Sequence, residues 1–521
     1  VVQHNRRAVP APIEIGVGTC ELPERLGGHH VALDEGFLER LSGACAIVDM
    51  APESLAESGR DWWPISIRWA LSGAVPARPG VIARPAGTSE VAAVLRCCNE
   101  AGIPVTAAGG RSGVCGGAVP VFGGVSLDCC GLEGVQEAHR ATSLVDVRAG
   151  TFGDDLEQEL RSVHGITIGH WPQSVALATI GGSIACRGAG QYSTRYGKIE
   201  DMVAGLEVVL ADGTVVHTGQ LAGRGAGPRS AMGPDLTSVF VGSEGTLGVI
   251  TSARLRAHPV ATEERRAAWA FPSFAEGLEV LRRTLQRGAT PAVLRLYDAT
   301  ESKRSFDGLD TNVLIALDEG DGSIVEATMA VLSQECRSAE PLDAGLVEHW
   351  FSHRNDMSVL ESVIRAGIVV DTIEIAAPWD ALAAIYEAAL TALQATAGII
   401  AASAHQSHAY LDGACLYFTF AGLGPDPGDD AWAEAFYRHC WQTVLDATLV
   451  NGGSISHHHG IGLVRGPYLP AALGAGFEVL KKLKTALDPR GILNPASLAS
   501  PRRSAPRRGP LAERQAHLGS S

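Results

Sequence analysis

The chain has 521 residues, 46% of them hydrophobic and 19% charged, which fits a globular protein of roughly two to four domains. Its formal charge of −15 argues against nucleic acid as the main partner. The eleven cysteines form no CxxC pair, and there is no amino-terminal apolar h-region and no apolar run long enough for a transmembrane segment. These features point to reduced thiols and a cytoplasmic location.

Residues 1–75 give no clear periodicity and read as an amino-terminal extension, in which the aromatic stretch Trp62 to Trp69 is a docking segment. Val81–Pro85 reads as a short strand, and Ser89 as the cap of a helix over Glu90–Glu100 that Gly102 ends. Ile103–Ala108 is a second strand, so the order is βαβ. Val125–Asp128 and Ser143–Arg148 are further strands, Thr151–Val163 an amphipathic helix, and Met202–Leu210 a strand ending in the turn Ala211-Asp-Gly213. After Pro259 the texture changes: strands at Ala267–Phe271, Val293–Tyr297, Val313–Leu317 and Cys415–Phe420 interleave with helices at Phe274–Arg287, Ser323–Glu335 and within Glu374–Leu393. The whole is an α+β protein of two domains, 76–258 and 259–497, followed by a basic tail, 498–521, that reads as disordered.

Glycines concentrate in loops. Strand Ile103–Ala108 runs into Gly109-Gly-Arg-Ser-Gly113, where backbone N–H groups can converge on phosphate oxygens without Cβ clashes. This loop fails both the Rossmann and the P-loop spacing. A second loop, Trp171 to Ser183, and a third, Gly242 to Ile250, follow, with Tyr196-Gly-Lys-Ile-Glu-Asp201 between them. Arg195 and Lys198 read as loop charges.

Four such motifs in this order resemble the FAD-binding domain of the vanillyl-alcohol oxidase superfamily, the p-cresol methylhydroxylase (PCMH) type. The resemblance implies FAD as cofactor, held by Ala108, Gly109, Gly110, Arg111, Ser112 and Gly113 around the pyrophosphate. It places Pro172, Gln173, Ser174, Thr179, Gly181 and Gly182 along the isoalloxazine and ribityl chain, and Glu244, Gly245 and Ile250 toward the adenosine end. Ser112 stands where members with covalent flavin carry histidine, so non-covalent FAD is expected.

The second domain narrows the branch. Pro291–Asp298, Asp412–Phe420 and Asn451-Gly-Gly-Ser-Ile-Ser-His-His-His-Gly-Ile-Gly462 are similar to alkyldihydroxyacetonephosphate synthases, and His458 replaces the glutamate of the Glu-His-Gly found in the D-lactate and glycolate dehydrogenase branch. That resemblance implies a cap domain whose carboxy-terminal segment returns to the flavin. It implies a lipid-like substrate and a redox-neutral exchange of the acyl group of acyl-dihydroxyacetone phosphate for a fatty alcohol through an adduct at flavin N5. Tyr417 would polarise the reacting group, His458 and His459 would serve acid–base or phosphate roles, and Arg295 would bind phosphate.

On residues alone, Arg295 also suits a strand ion pair, Tyr417 a core aromatic, and His457 a supporting role. If the histidine run is extended, His457 and His459 point one way and His458 the other. An ungapped count from Glu374 puts Leu360 where the synthases carry a second arginine, with Arg354 and Arg365 nearby but off its helical face. The alternative is an FAD oxidoreductase taking hydride from a D-2-hydroxy acid or another alcohol. No metal ligand set is read, and a homodimer is the assembly left open.

Overall fold

The computed structural model describes residues 23–26, 30–223, 227–355 and 358–498. The basic run at 501–508 lies outside the described residues.

The first sheet has four strands in the order Val48–Asp49, Val81–Ala83, Val125–Asp128, Val105–Ala108. The last three are parallel, and helix Thr88–Ala101 makes the crossover from Val81–Ala83 to Val105–Ala108. The helix begins one residue before Ser89: Gly87 occupies the N-cap without a side-chain bond, so Ser89 is not the cap. Gly102 ends the helix in the left-handed region, φ 66°. The outer face of Val105–Ala108 is closed from far along the chain. Val105 N–H donates to Ile492 O at 2.8 Å, and Asn494 N–H donates to Val105 O at 2.7 Å.

A five-stranded antiparallel sheet completes this half, in the order Val135–His139, Leu144–Arg148, Val249–Arg256, Val203–Val209, Val215–His217. Cys97, Cys98 and Cys129 are buried free thiols and Cys130 is half-buried.

The second half is a seven-stranded antiparallel sheet in the order Glu340–Leu342, Glu263–Phe271, Asn312–Gly320, Val293–Tyr297, Ile399–Ala409, Gly413–Gly422, Val369–Pro378. Side chains alternate across its faces. Leu294, Leu296, Leu416, Phe418 and Phe420 join one core with helices Phe274–Gln286, Trp379–Gln394 and Asp430–Val450. The opposite face carries Arg295 and Tyr417 toward the first half.

The described residues ahead of 76 are built into both halves rather than forming a separate extension. Val48–Asp49 is a strand of the first sheet, and helix Pro64–Leu71 docks on the second half. There Trp63 Nε1 donates to Tyr437 Oη at 2.9 Å, Trp69 Nε1 to Glu434 at 2.9 Å, and Arg68 Nε to Asp430 at 3.0 Å. Among the described residues no helix is long and apolar enough to cross a membrane.

Candidate active site

A cavity of about 1150 Å³ lies between the two halves, above the usual range for a single small ligand. Its first wall is made by the glycine loops, which interlock. A Cβ on Gly109 would meet Thr179 Oγ1 at 2.1 Å, and one on Gly110 would meet Leu177 O at 1.8 Å. No larger residue leaves the strand end this close to the second loop. All fifteen residues from Ala108 to Gly113, Pro172 to Ser174, Thr179, Gly181, Gly182, Glu244, Gly245 and Ile250 that the sequence singled out line this cavity.

The wall also holds buried polar atoms without a protein partner: both ring nitrogens of His170, Gln191 Oε1 and Arg111 Nε. Such atoms are costly unless a ligand or water completes them. A glycine cradle ringed by unfilled donors and acceptors fits a large polar cofactor such as FAD. Ser112, on this wall, has no imidazole with which to attach one.

The opposite wall comes from the large sheet. Tyr417 pairs across strands with Glu374 on one side and His405 on the other. The His405 ring stacks on Tyr417, centroids 4.7 Å apart and 11° from parallel. Arg295 Nη2 donates to His405 Nε2 at 3.0 Å, which leaves Nδ1–H to donate to Glu301 at 2.9 Å. Burial opposes ionisation of Glu301, but His405 and Arg304 overcome it and hold the carboxyl at about 2. Arg295 is therefore tied to a histidine and Tyr297 rather than to a carboxylate.

The histidine segment is bent, not extended. Glu374 shapes it: its oxygens accept from the Ser456 hydroxyl at 2.9 Å, from His459 N–H at 2.9 Å and from His457 N–H. Consequently His458 and His459 both reach the cavity, whereas His457 turns away from it. Tyr417 Oη and His458 Nε2 are 2.5 Å apart. Burial pushes His458 well below its usual range and holds His459 at about 4, and it raises the Tyr417 phenol. These groups meet a ligand uncharged. His459 Nδ1 makes no hydrogen bond within the protein and lies 4.0 Å from a Glu374 oxygen.

Glu374, Cys415, His457 and His458 approach closely enough to surround a cation. The Glu374 oxygens are already engaged, however, and the Arg465 guanidinium sits 3.0 Å away, an arrangement that repels a cation.

Other expectations change. Glu244 lines the cavity, but its carboxylate accepts from Ile461 N–H at 2.5 Å, Gly462 N–H at 2.9 Å and Ser497 Oγ at 3.1 Å, so the side chain anchors the end of the histidine segment. Lys198 is no loop charge: its Nζ donates to His457 O at 2.5 Å. Arg195 pairs with buried Asp318 at 2.6 Å.

Several cavity residues escaped the sequence reading: Asp61, His170, His405 and His408. Arg354 caps helix Gly345–His353, while Leu360 and Arg365 belong to a separate helix, Ser358–Arg365. A single helical face was the wrong frame for comparing them. Arg354 reaches the cavity with Nη1 buried and unpartnered, whereas Arg365 is exposed and paired with Glu361 at 2.6 Å.

Residues 79–219 match the family model for the FAD binding domain, and residues 261–498 that for FAD linked oxidases, C-terminal domain. The chain is 30% identical over 438 residues to the uncharacterized FAD-linked oxidoreductase YgcU of Escherichia coli K12, covering 81% of this chain and 89% of that one. It is 28% identical to the alkyldihydroxyacetonephosphate synthase of Dictyostelium discoideum, over 82% and 74%, and 27% identical to glycolate oxidase subunit GlcD of Bacillus subtilis, over 81% and 89%. Among solved structures, an alkyldihydroxyacetonephosphate synthase superposes with a TM-score of 0.75 at 22% identity, over 93% of this chain and 88% of that one. p-Cresol methylhydroxylase does so with 0.70 at 16%, over 91% and 99%. The chain belongs to the FAD-linked oxidases, and FAD is its cofactor.

Proposed function

We propose that this enzyme exchanges the acyl group of an acyl-dihydroxyacetone phosphate for a fatty alcohol, as in ether-lipid synthesis. The observation that carries the reading is a pair of guanidiniums at one cavity wall: Arg295 and Arg354 lie 5.5 and 5.6 Å from the Trp350 ring centroid. Two fixed cations suit a phosphate ester. Trp62, Ile67, Leu360, Val363 and Val370 line another part of the cavity and offer an apolar surface for an acyl or alkyl chain.

Gly109, Gly110, Thr179 and their neighbours would hold FAD, which supplies the electron-poor ring at which the substrate reacts. The chain's own residues then do three things. Arg295 and Arg354 orient the anionic end, Tyr417 hands a proton to or from His458, and His459 Nδ1 accepts from a substrate hydroxyl. Neutral imidazoles suit this because proton transfer needs an open lone pair.

A second reading is oxidation of a D-2-hydroxy acid, favoured by the fact that the same two guanidiniums would receive a carboxylate. One anaerobic experiment separates the two. Holoenzyme is given palmitoyl-dihydroxyacetone phosphate and hexadecanol with no electron acceptor, and in parallel a panel of D-2-hydroxy acids. Release of palmitate with formation of the alkyl ether supports the synthase. Flavin bleaching that yields a 2-oxo acid, with no ether formed, sinks it.

A further inference from the structure

Arg295 is anchored without a carboxylate of its own, and the nearest one stands an imidazole away. Glu301 is buried in the short helix Ala299–Ser305. Asp298 sets its place. One oxygen of Asp298 accepts from Glu301 N–H at 2.8 Å and the other from Ala404 N–H at 2.6 Å, which pins the helix to the strand that carries His405. Both Glu301 oxygens are used within the protein. Oε1 accepts from His405 Nδ1–H at 2.9 Å and lies 3.2 Å from Arg304, while Oε2 accepts from the Ser403 hydroxyl at 2.9 Å.

His405 is thus held between an acceptor and a donor. An ionised carboxylate can only accept and a guanidinium can only donate. Glu301 at Nδ1 and Arg295 Nη2 at Nε2, 3.0 Å away, therefore admit one tautomer of the ring, with Nδ1–H and a bare Nε2. Burial lowers His405 below its ordinary value and keeps it neutral. Stacking on Tyr417 at 4.7 Å and on Tyr297 at 5.4 Å stops the ring from turning out of line. The opposite tautomer would aim an N–H at Arg295 across the same 3.0 Å, donor against donor, and push the guanidinium off its place. We infer that Glu301 is the positioning residue of the anion subsite, aiming the Arg295 guanidinium into the cavity through His405, resting on the reading above only in that Arg295 receives the anionic end of the substrate.

An interposed imidazole does what a direct ion pair would not. A carboxylate bonded to Arg295 would take the fork with two parallel bonds and compete with an incoming phosphate or carboxylate. Here Nη2 gives one bond to His405 and Nε gives one to the Tyr297 hydroxyl at 2.9 Å, which leaves the Nη1 side of the fork to a ligand. The Glu301 charge, one ring away, still offsets that of the guanidinium. Arg295 is therefore fixed in direction while it stays open to an anion.

The test compares two variants of the holoenzyme. Glu301→Leu removes the acceptor, whereas the amide oxygen of Glu301→Gln can still accept from His405 while its N–H donates to Ser403. With palmitoyl-dihydroxyacetone phosphate and hexadecanol, Glu301→Leu should raise KM about 10-fold with kcat within about threefold, and Glu301→Gln should bring KM back to within about threefold of wild type. 15N-labelled histidine gives a second readout in substrate-free holoenzyme. Wild-type His405 should carry its proton on Nδ1. In Glu301→Leu the groups that Glu301 holds, Arg304 and the Ser403 hydroxyl, are donors, so the Nε2–H form should become populated. His405→Phe keeps a stacked ring, ends the row, and should reproduce the rise in KM should Glu301→Leu fail to fold. A wild-type His405 protonated on Nε2 overturns the assignment. So does an unchanged KM in Glu301→Leu or, where that variant does not fold, in His405→Phe. A KM as poor in Glu301→Gln as in Glu301→Leu also overturns it. Failure of the wild type to turn over this substrate sinks the synthase reading instead. The same comparison then reads the Kd of inorganic phosphate by calorimetry, and a wild-type holoenzyme that binds no phosphate overturns the anion subsite itself.

Discussion

Arg465 and Glu374 form an ion pair of 3.0 Å in which neither side chain has exposed surface. The guanidinium is fully used: it also donates to the carbonyls of Ile455, Gly460 and Glu374 itself. Glu374 in turn holds the backbone of His457 and His459. One buried pair thus fixes the bend that delivers His458 and His459 to the cavity.

Breaking this pair leaves a buried charge uncompensated. Glu374→Gln is expected to destabilise the protein by about 3–5 kcal/mol. Chemical denaturation checks this, and a free energy within about 0.5 kcal/mol of wild type would show that the segment is held by other means.

Arg354 and Arg365 flank Leu360 in sequence and differ in surroundings. Arg354→Met should raise KM for a phosphate-bearing substrate about 10- to 100-fold, the cost of a charge-assisted hydrogen bond, while leaving FAD bound. Arg365→Gln should change KM by less than twofold. Equal effects of the two would remove Arg354 from the substrate site.

Burial holds His170 at about 4, against an ordinary value near 6.5. Its folded-state value is depressed, so the unfolded chain binds the extra proton. The contribution to stability is complete above about pH 6.5 and is lost as pH falls toward 4, roughly 2 kcal/mol at pH 5. Asp61, raised by burial to about 7, acts in the opposite sense between about pH 4 and 7, so wild type and variant must be compared. His170→Asn should show a shallower fall in melting temperature between pH 7 and 5. Parallel curves would mean that His170 does not titrate in the unfolded chain.

With Ser112 on the cavity wall, the flavin should leave with denaturation. Precipitation with acid is expected to send the yellow colour to the supernatant and leave a colourless pellet. Colour retained in the pellet would mean attachment through another side chain.

Much of this site was legible. Arg295 and Tyr417 were singled out through the resemblance of their segments to the synthases, and glycine clusters after strands marked the cofactor wall. What escaped depended on local irregularity or distance. His405 and His408 are three apart, so a regular strand would put them on opposite faces, but an irregularity between Gln406 and His408 brings both to the cavity. Asp61 sits in the irregular stretch between the two-residue strand Val48–Asp49 and helix Pro64–Leu71, where no periodicity marks it. Glu244 finds its partners at Ile461, Gly462 and Ser497, more than two hundred positions away, and no local pattern announces such a bond.

The closure of strand Val105–Ala108 by Ile492 and Asn494 sets the order of assembly. On the ribosome, the glycine loop and its strand emerge long before the residues that cap their edge, so the cofactor half waits for the cap domain to be synthesised before its own sheet is finished. A nascent or truncated chain ending before residue 492 presents a bare strand edge to its neighbours, the arrangement from which aggregates start.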